Sequence, residues 1–328
     1  MKRSKGGLVL MIIGLIFLIL TPVWKWAIAP MLVKLPDNIN SPSVYEGTLT
    51  LFVDPNTLSL LPADMAVKIP LTITRVDTSD KAKYTSSIGV VEETVDAKGP
   101  AGKSFLTGDK FFAMDRRTNE NVAGHGSNVD RTGYSVLLPF GTEKKSYPYW
   151  DDDVGKTSDI NYVKEETRDG FKSKDVKVFI FEGSGTDPMV EPPFGLPDKL
   201  AGSQIKALVA GMPGVPPLNL NDTEEYPITF LKGAEAVIAI EPRTGTINDV
   251  DLKETYSVDT STLGIPNIKL ATLNYKQTPE SVAWNIDNNA KNFGLLDLAQ
   301  LWIPLILLIL GIVLFVPGLI LFLRPPRA

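Results

Sequence analysis

Two uninterrupted apolar runs bracket the chain, and between them hydrophobic and polar positions alternate in short stretches. The first run, from Gly6 to Trp24, is free of charge and dominated by Leu, Ile, Val and Met. The second, from Leu301 to Leu323, is also uncharged, and from Ile303 on it has no polar stripe to turn towards water. A helix needs about 20 such residues to cross the hydrocarbon layer of a bilayer, so both runs predict membrane spans. Trp24, Trp26 and Trp302 stand where interfacial aromatic anchors belong. Lys2, Arg3, Lys5, Arg324 and Arg327 flank the runs on their chain-terminal sides, and basic residues gather on the cytoplasmic face of membrane helices. The expected layout is a cytoplasmic tail over 1–5, spans over 6–28 and 301–323, an extracytoplasmic domain over 29–300 and a second cytoplasmic tail over 324–328. A cleaved signal peptide is the competing reading of the first run, because Ala27-Ile28-Ala29 has the small-residue pattern of a cleavage site. Pro30 would directly follow that cut and obstruct it, and the apolar run is long for a signal core, so an uncleaved anchor is expected.

Residues 48–53, 66–74, 176–181 and 236–240 are short runs rich in β-branched or aromatic residues and bounded by turn formers. Few stretches show helical spacing, which argues against parallel βαβ units. The predicted fold class is mainly β (α+β), built of antiparallel hairpins with barrel-like closure as an option, between terminal transmembrane helices. Asp54-Pro55-Asn56-Thr57, Asp115-Arg116-Arg117-Thr118 and Glu241-Pro242-Arg243-Thr244-Gly245 share an acid followed by turn residues and Thr. Such an acid accepts backbone N–H groups across a turn, so the recurrence reads as turn chemistry rather than a binding motif. Residues 183–221 form an apolar insertion rich in Pro and Gly. Within it, Asp198 is expected to cap a short helix through Ala210, with Leu200, Ile205, Leu208 and Val209 on its apolar side and Phe194 nearby. Residues 278–292 predict a helix just before the second span.

Charge is distributed unevenly. None of the 38 acidic residues lies in the end segments, whereas six of the 33 basic ones do, so the stretch between carries 27 basic against 38 acidic residues, a net −11. That excludes nucleic acid as a partner and disfavours anionic headgroups. Cysteine is absent, which removes thiol catalysis and thiolate metal sites. Phosphate-loop, dinucleotide and nucleophile-elbow motifs are missing. His125, the single histidine, sits in Gly124-His125-Gly126-Ser127-Asn128, which reads as an exposed hairpin tip rather than a held catalytic base. The run Asp151-Asp152-Asp153 makes Asp151 and Asp153 weak candidates for a calcium site, with a solvated acidic turn as the plainer reading. Tyr147, Tyr149 and Trp150 form the richest aromatic cluster outside the spans, suited to a packed corner or to contact with a glycan.

The block Pro139-Phe140-Gly141-Thr142-Glu143-Lys144-Lys145-Ser146-Tyr147-Pro148-Tyr149-Trp150-Asp151 resembles the signature of the actinobacterial PorA-like porin family. Tyr45-Glu46-Gly47-Thr48, Val53-Asp54-Pro55, Asp115-Arg116-Arg117-Thr118 and Pro242-Arg243-Thr244-Gly245 resemble it in the same order. The resemblance implies a two-span envelope protein and carries no assigned catalytic, ligand or cofactor residues. In plan, two end helices around an outer β domain are also similar to class B scavenger receptors, which enclose a lipid-conducting tunnel.

Together these readings predict a non-enzymatic plasma-membrane protein with no cofactor. Its outer domain is expected to bind a lipid-like or apolar ligand, or a membrane protein partner. The alternatives are a homo-oligomeric pore and a structural scaffold that contacts envelope glycan. Cysteines introduced at Ser127 and Ser4 should differ in intact cells, with only Ser127→Cys reached by an impermeant thiol reagent; equal labelling would sink the two-span layout.

Overall fold

The computed structural model describes residues 4–54, 57, 59–210, 212, 215 and 217–324. Among the features named above, Lys2, Arg3, Pro55, Asn56, Pro213, Gly214, Pro216 and Arg327 lie outside the described residues. In chain order the elements begin with α1 (Lys5–Val23) and α2 (Ala29–Leu32), followed by β1 (Asn40–Leu51), β2 (Val67–Ser79), β3 (Ile88–Lys98) and β4 (Ser104–Asp115). Next come β5 (Tyr147–Asp151), β6 (Lys156–Arg168), β7 (Val176–Pro188), β8 (Lys199–Ala201), α3 (Gly202–Val209) and β9 (Glu225–Pro227). Last are β10 (Phe230–Glu241), β11 (Thr246–Val258), β12 (Ile268–Gln277), α4 (Pro279–Ala290), α5 (Phe293–Asp297) and α6 (Ile303–Leu323). Two units result: Pro36–Asp287, and the terminal segments up to Leu35 and from Asn288 on.

In the terminal unit α1 and α6 pack antiparallel, at a backbone approach that only glycine permits. A Cβ added to Gly14 would come within 2.3 Å of the Phe315 nitrogen, and one added to Gly318 within 2.4 Å of the Met11 nitrogen. Gly7 and Gly14, like Gly311 and Gly318, are seven residues apart, so each pair faces the partner helix on one seam. π-helical turns at Trp24–Ile28 and Leu298–Trp302 adjoin these helices. In the second, the Ile303 N–H bonds the Leu298 carbonyl, so the next donor in that register would be Pro304, which has no N–H. The Ala299 carbonyl left over accepts the Trp24 indole N–H at 2.8 Å. The helical stretches Lys5–Leu32 and Pro279–Leu323 are each long and apolar enough to cross a membrane, and the first runs beyond the expected 6–28.

The β unit is a ten-stranded antiparallel sheet in the order β4-β3-β2-β1-β12-β11-β10-β7-β6-β5, curled into a half-barrel. The edge strands β4 and β5 are not paired with each other, so the closure is not that of a continuous barrel. Alternation places Tyr45, Ile73, Glu93, Phe112, Glu254 and Tyr275 on the inner face. The outer face exposes Glu46, Thr72, Glu235, Asp251, Lys253 and Lys276. Two buried clusters back the inner face. One joins Tyr45, Leu49, Leu71, Ile73, Ala97, Tyr256 and Ala271; the other joins Leu138, Tyr147, Ile160, Phe179, Phe181, Ile238 and Ile240. A third cluster, with Leu208 and Val209 of α3 against Val53, Phe230, Val258 and Ile268, fills one end of the half-barrel.

Two boundaries expected inside 183–221 are corrected. Residues 183–188 belong to β7, and their glycines are inward positions without side chains rather than loop formers. The helix starts at Gly202 rather than after Asp198, because residues 199–201 stay extended to pair with β9. The Gln204 side chain, not that of Asp198, accepts the Ala201 N–H at 2.9 Å. The Asp115 turn closes a short hairpin, with the Asp115 N–H bonding the Glu120 carbonyl and the Val122 N–H the Ala113 carbonyl, both at 2.9 Å. Beyond it the chain continues as a long connection that reaches β5 at Tyr147.

Leu208 is 2% exposed, so Leu208→Ala should cost about 2–5 kcal/mol of β-unit stability, as core truncations do. Chemical denaturation followed by circular dichroism measures it, and a loss below about 1 kcal/mol would contradict the packing described.

Candidate ligand-binding cavity

The inner face of the half-barrel lines a partly open cavity of about 460 Å³. Its space comes from small inward residues: Ala97, Gly108, Gly185, Ala234 and Ala236; at Gly183, also on the wall, an added Cβ would meet Ile160 at 2.9 Å. A Cβ built on Gly108 meets nothing within 4 Å, so this position of β4 faces open space. Larger side chains form the rest of the wall, including Tyr45, Tyr149, Trp150, Tyr256 and Tyr275 beside Ile73, Ile160 and Ile238.

The seam between β4 and the end of β5 is closed by side chains and by backbone bonds of the connection between them. Arg131, 3% exposed, donates from Nε to Asp152 Oδ1 at 2.6 Å and from a terminal nitrogen to Asp152 Oδ2 at 3.2 Å. The same guanidinium donates to the Phe111 carbonyl of β4 at 2.8 Å and lies 4.2 Å from the centre of the Phe112 ring. Lys110 Nζ of β4 approaches Asp152 at 3.2 Å, and the Trp150 indole donates to Asp152 at 2.8 Å. Higher in the connection, Tyr134 N–H donates to the Pro148 carbonyl and Trp150 N–H to the Tyr134 carbonyl, at 2.9 and 2.7 Å. The block at 138–142 caps the β10–β11 turn: Leu138 N–H bonds the Gly245 carbonyl at 2.8 Å and Thr142 N–H the Pro242 carbonyl at 2.7 Å. Gly245 has φ 72°, and an added Cβ would lie 1.9 Å from the Leu138 carbonyl oxygen, so this turn needs glycine twice over.

Two charge clusters sit within the wall. Lys232 Nζ lies 2.9 Å from Glu254, 3.1 Å from Asp151 and 2.6 Å from Asp153. Burial pulls that ammonium towards losing its proton, but Glu254, Asp153 and Asp151 outweigh it and hold its pKa above the ordinary value. Arg75 Nε lies 3.1 Å from Asp77 and 2.9 Å from Glu93. Burial raises the pKa of Tyr45, Tyr149, Tyr256 and Tyr275, so all four present neutral phenols at pH 7. The Tyr256 hydroxyl donates to Glu254 at 2.9 Å, and that of Tyr149 to the Ser135 carbonyl.

The family model described as Porin PorA matches residues 6–320, which takes in both apolar helices and the whole sheet. The chain belongs to the PorA porin family. Over 42 residues it is 48% identical to a protein of Corynebacterium amycolatum named Porin PorA; that stretch is 13% of this chain and 11% of the relative. PorA membership and the two apolar helices make this a membrane protein.

Of the residues singled out in the sequence of this PorA protein, Tyr149, Trp150, Asp151 and Asp153 line the cavity. Tyr147 packs beneath it, edge-on to Tyr134 and Phe181. Leu200, Ile205, Leu208 and Val209 are buried, the last two in the cluster that fills the barrel end. Phe194 is 55% exposed at φ 56° and rests edge-on against Tyr256, 4.9 Å between ring centres. His125 is exposed at φ 54°. The aspartates at 151–153 are not a solvated acidic turn: all three are half-buried and held by Lys232, Arg131 and Lys110. Ammonium and guanidinium groups occupy the oxygens a calcium ion would need, and among the described residues no group of three or more His, Asp or Glu is placed to hold a metal. Arg131 and Lys232 carry the site and were missed in the sequence. An isolated base in a strand or loop has no local signature, because its partners are 21 to 81 residues away.

Burial opposes ionisation of Asp152, but Arg131 and Lys110 hold its pKa below the usual 3.8. A depressed folded pKa contributes stability that is complete above the unfolded value and lost as pH falls through the folded one. The denaturation midpoint of the β unit should therefore fall as pH drops below about 4, and Asp152→Asn should lower it at neutral pH and flatten that acid dependence. An unchanged acid limb in Asp152→Asn would show that the seam does not contribute.

Proposed function

We propose that this PorA family member is a membrane-anchored, non-enzymatic envelope protein whose β unit binds an apolar or amphipathic ligand in the half-barrel cavity. The observation that carries the reading is the cavity itself. Its volume lies within the range of small-molecule sites, about 300–1,000 Å³. Its wall combines aliphatic and aromatic surface with a few fixed polar groups, the composition such sites share. The titratable groups in that wall are engaged with one another as ion pairs and neutral phenols, an arrangement that supports binding rather than acid–base or nucleophilic chemistry. The antiparallel α1–α6 pair brings Gly7 beside Phe322, which supports placing both chain ends on one side of the bilayer. The flanking basic residues favour the cytoplasmic side, leaving the β unit outside.

A pore subunit is the second reading, favoured by the name of the family. A membrane-spanning barrel needs an outward apolar band about 25 Å tall. The outer face of this sheet instead exposes Thr, Glu, Asp and Lys, so a conducting path would have to come from assembly of several copies.

Filling the cavity separates the two. Gly108→Trp places an indole in the open space on β4. Mass spectrometry of lipids that co-purify with the full chain should show recovery falling several-fold in this variant, with an unchanged circular dichroism spectrum. Equal recovery from both proteins would refute the cavity as the binding site. Discrete conductance steps in planar bilayers from the unmodified protein would instead favour the pore.

A further inference from the structure

We propose that the cavity selects ligands bearing an ammonium group and turns away anionic headgroups, an inference that rests on the cavity being a binding site. The described lining residues include seven carboxylates and three cations, and with the paired Asp77, Arg131 and Lys156 the count is eight against five, a formal excess of three negative charges. The three lining cations are already committed. Lys232 is shared by Glu254, Asp151 and Asp153, Arg75 by Asp77 and Glu93, and Lys110 is held by Asp152. A phosphate or carboxylate entering the cavity would displace one of these pairs or stay unpaired, and an unpaired buried charge is heavily penalised. An ammonium meets the opposite situation. Three carboxylates share Lys232 and two share Arg75, so an entering positive charge meets carboxylates in excess of their own cations.

Aromatic rings add a second, independent contribution. Tyr45 and Tyr275 stand edge-to-face with centroids 5.8 Å apart, and Tyr149, Trp150 and Tyr256 line the same space. Alkylated ammonium groups are attracted to aromatic faces, most strongly where water is excluded. The aliphatic wall at Ile73, Ile160 and Ile238 gives an attached hydrocarbon chain a surface to bury against. The ligand class is thus a cationic amphiphile, with uncharged amphiphiles next in preference. The net negative charge of the whole stretch between the spans acts in the same direction at longer range.

The test uses the full chain in uncharged maltoside micelles. Hexyltrimethylammonium, hexan-1-ol and hexyl phosphate are titrated by isothermal calorimetry, with protein-free micelles as the blank. The ammonium should bind more tightly than the phosphate by about tenfold or more, the alcohol should fall between them, and the gap should narrow in high salt. Gly108→Lys, which adds an uncommitted cation at open space, should raise phosphate affinity and shrink the difference; Gly108→Trp should weaken all three probes. Equal or reversed affinities of the two charged probes, both lost in Gly108→Trp, would overturn charge selection while leaving the cavity as a site. Probe binding that is absent, or indifferent to Gly108→Trp, would overturn both.

Discussion

The bidentate pair between Arg131 and Asp152 does for the edges of this sheet what backbone hydrogen bonds do elsewhere. Strands β4 and β5 end the sheet on opposite sides and share no ladder, so the curl is held by the connection between them, through backbone bonds from Val122 to Ala113 and from Tyr134 to Pro148 and through the Arg131 side chain. Arg131 holds the Phe111 carbonyl and the Phe112 ring on one side and the Asp152 carboxylate on the other. Breaking a pair as buried as this one by removing a single partner generally costs about 3–5 kcal/mol, because a charge is stranded. Both the shape of the cavity and the placement of Tyr149 and Trp150 depend on that closure. The connection at 116–146, which bridges back to β4 at Met114 and on to β5 at Tyr149, is what delivers Arg131 to the seam.

Glycine performs two unrelated tasks in the two units. Between α1 and α6 it lets backbones approach until a methyl group would collide, which suits a lipid setting where association relies on packing rather than on expulsion of water. Inside the half-barrel, glycine and alanine do the reverse and leave space unfilled. A sheet interior normally packs close to crystal density, so a cavity of this size in a curled sheet reflects the small residues at 97, 108, 185, 234 and 236.

The polarity of the two faces of the sheet limits how the family name is to be understood in this chain. Threonine and charged residues on the outer face need water, and the wall inside is itself laced with ion pairs. The two apolar helices are the segments suited to hydrocarbon, while the sheet offers a partly open and negatively biased space. A lipid-facing barrel has the opposite design, with an apolar outside around a wetted inside.

Local patterns were enough to establish several features of this protein. The two charge-free runs mark the two helices long and apolar enough to cross a membrane, because span length depends on bilayer thickness alone. The β-branched runs mark β1, β2, β7 and β10, and the acid-led turns at 115–118 and 241–245 use their carboxylates as expected, with Asp115 accepting from the Arg117 and Thr118 amides and Glu241 from the Thr244 amide. The block at 139–151 pointed to the family. What tertiary structure alone decided is pairing across distance. Nothing in the spacing of Lys232 joins it to Asp151, Asp153 and Glu254, and nothing around Arg131 names Asp152. The glycines of 183–188 group with the Pro- and Gly-rich insertion in the sequence, and only the neighbouring strands show that they belong to β7 and face the cavity wall. Periodicity records which face a residue occupies, whereas the partner it meets there depends on sheet order, which the chain settles only once it is folded.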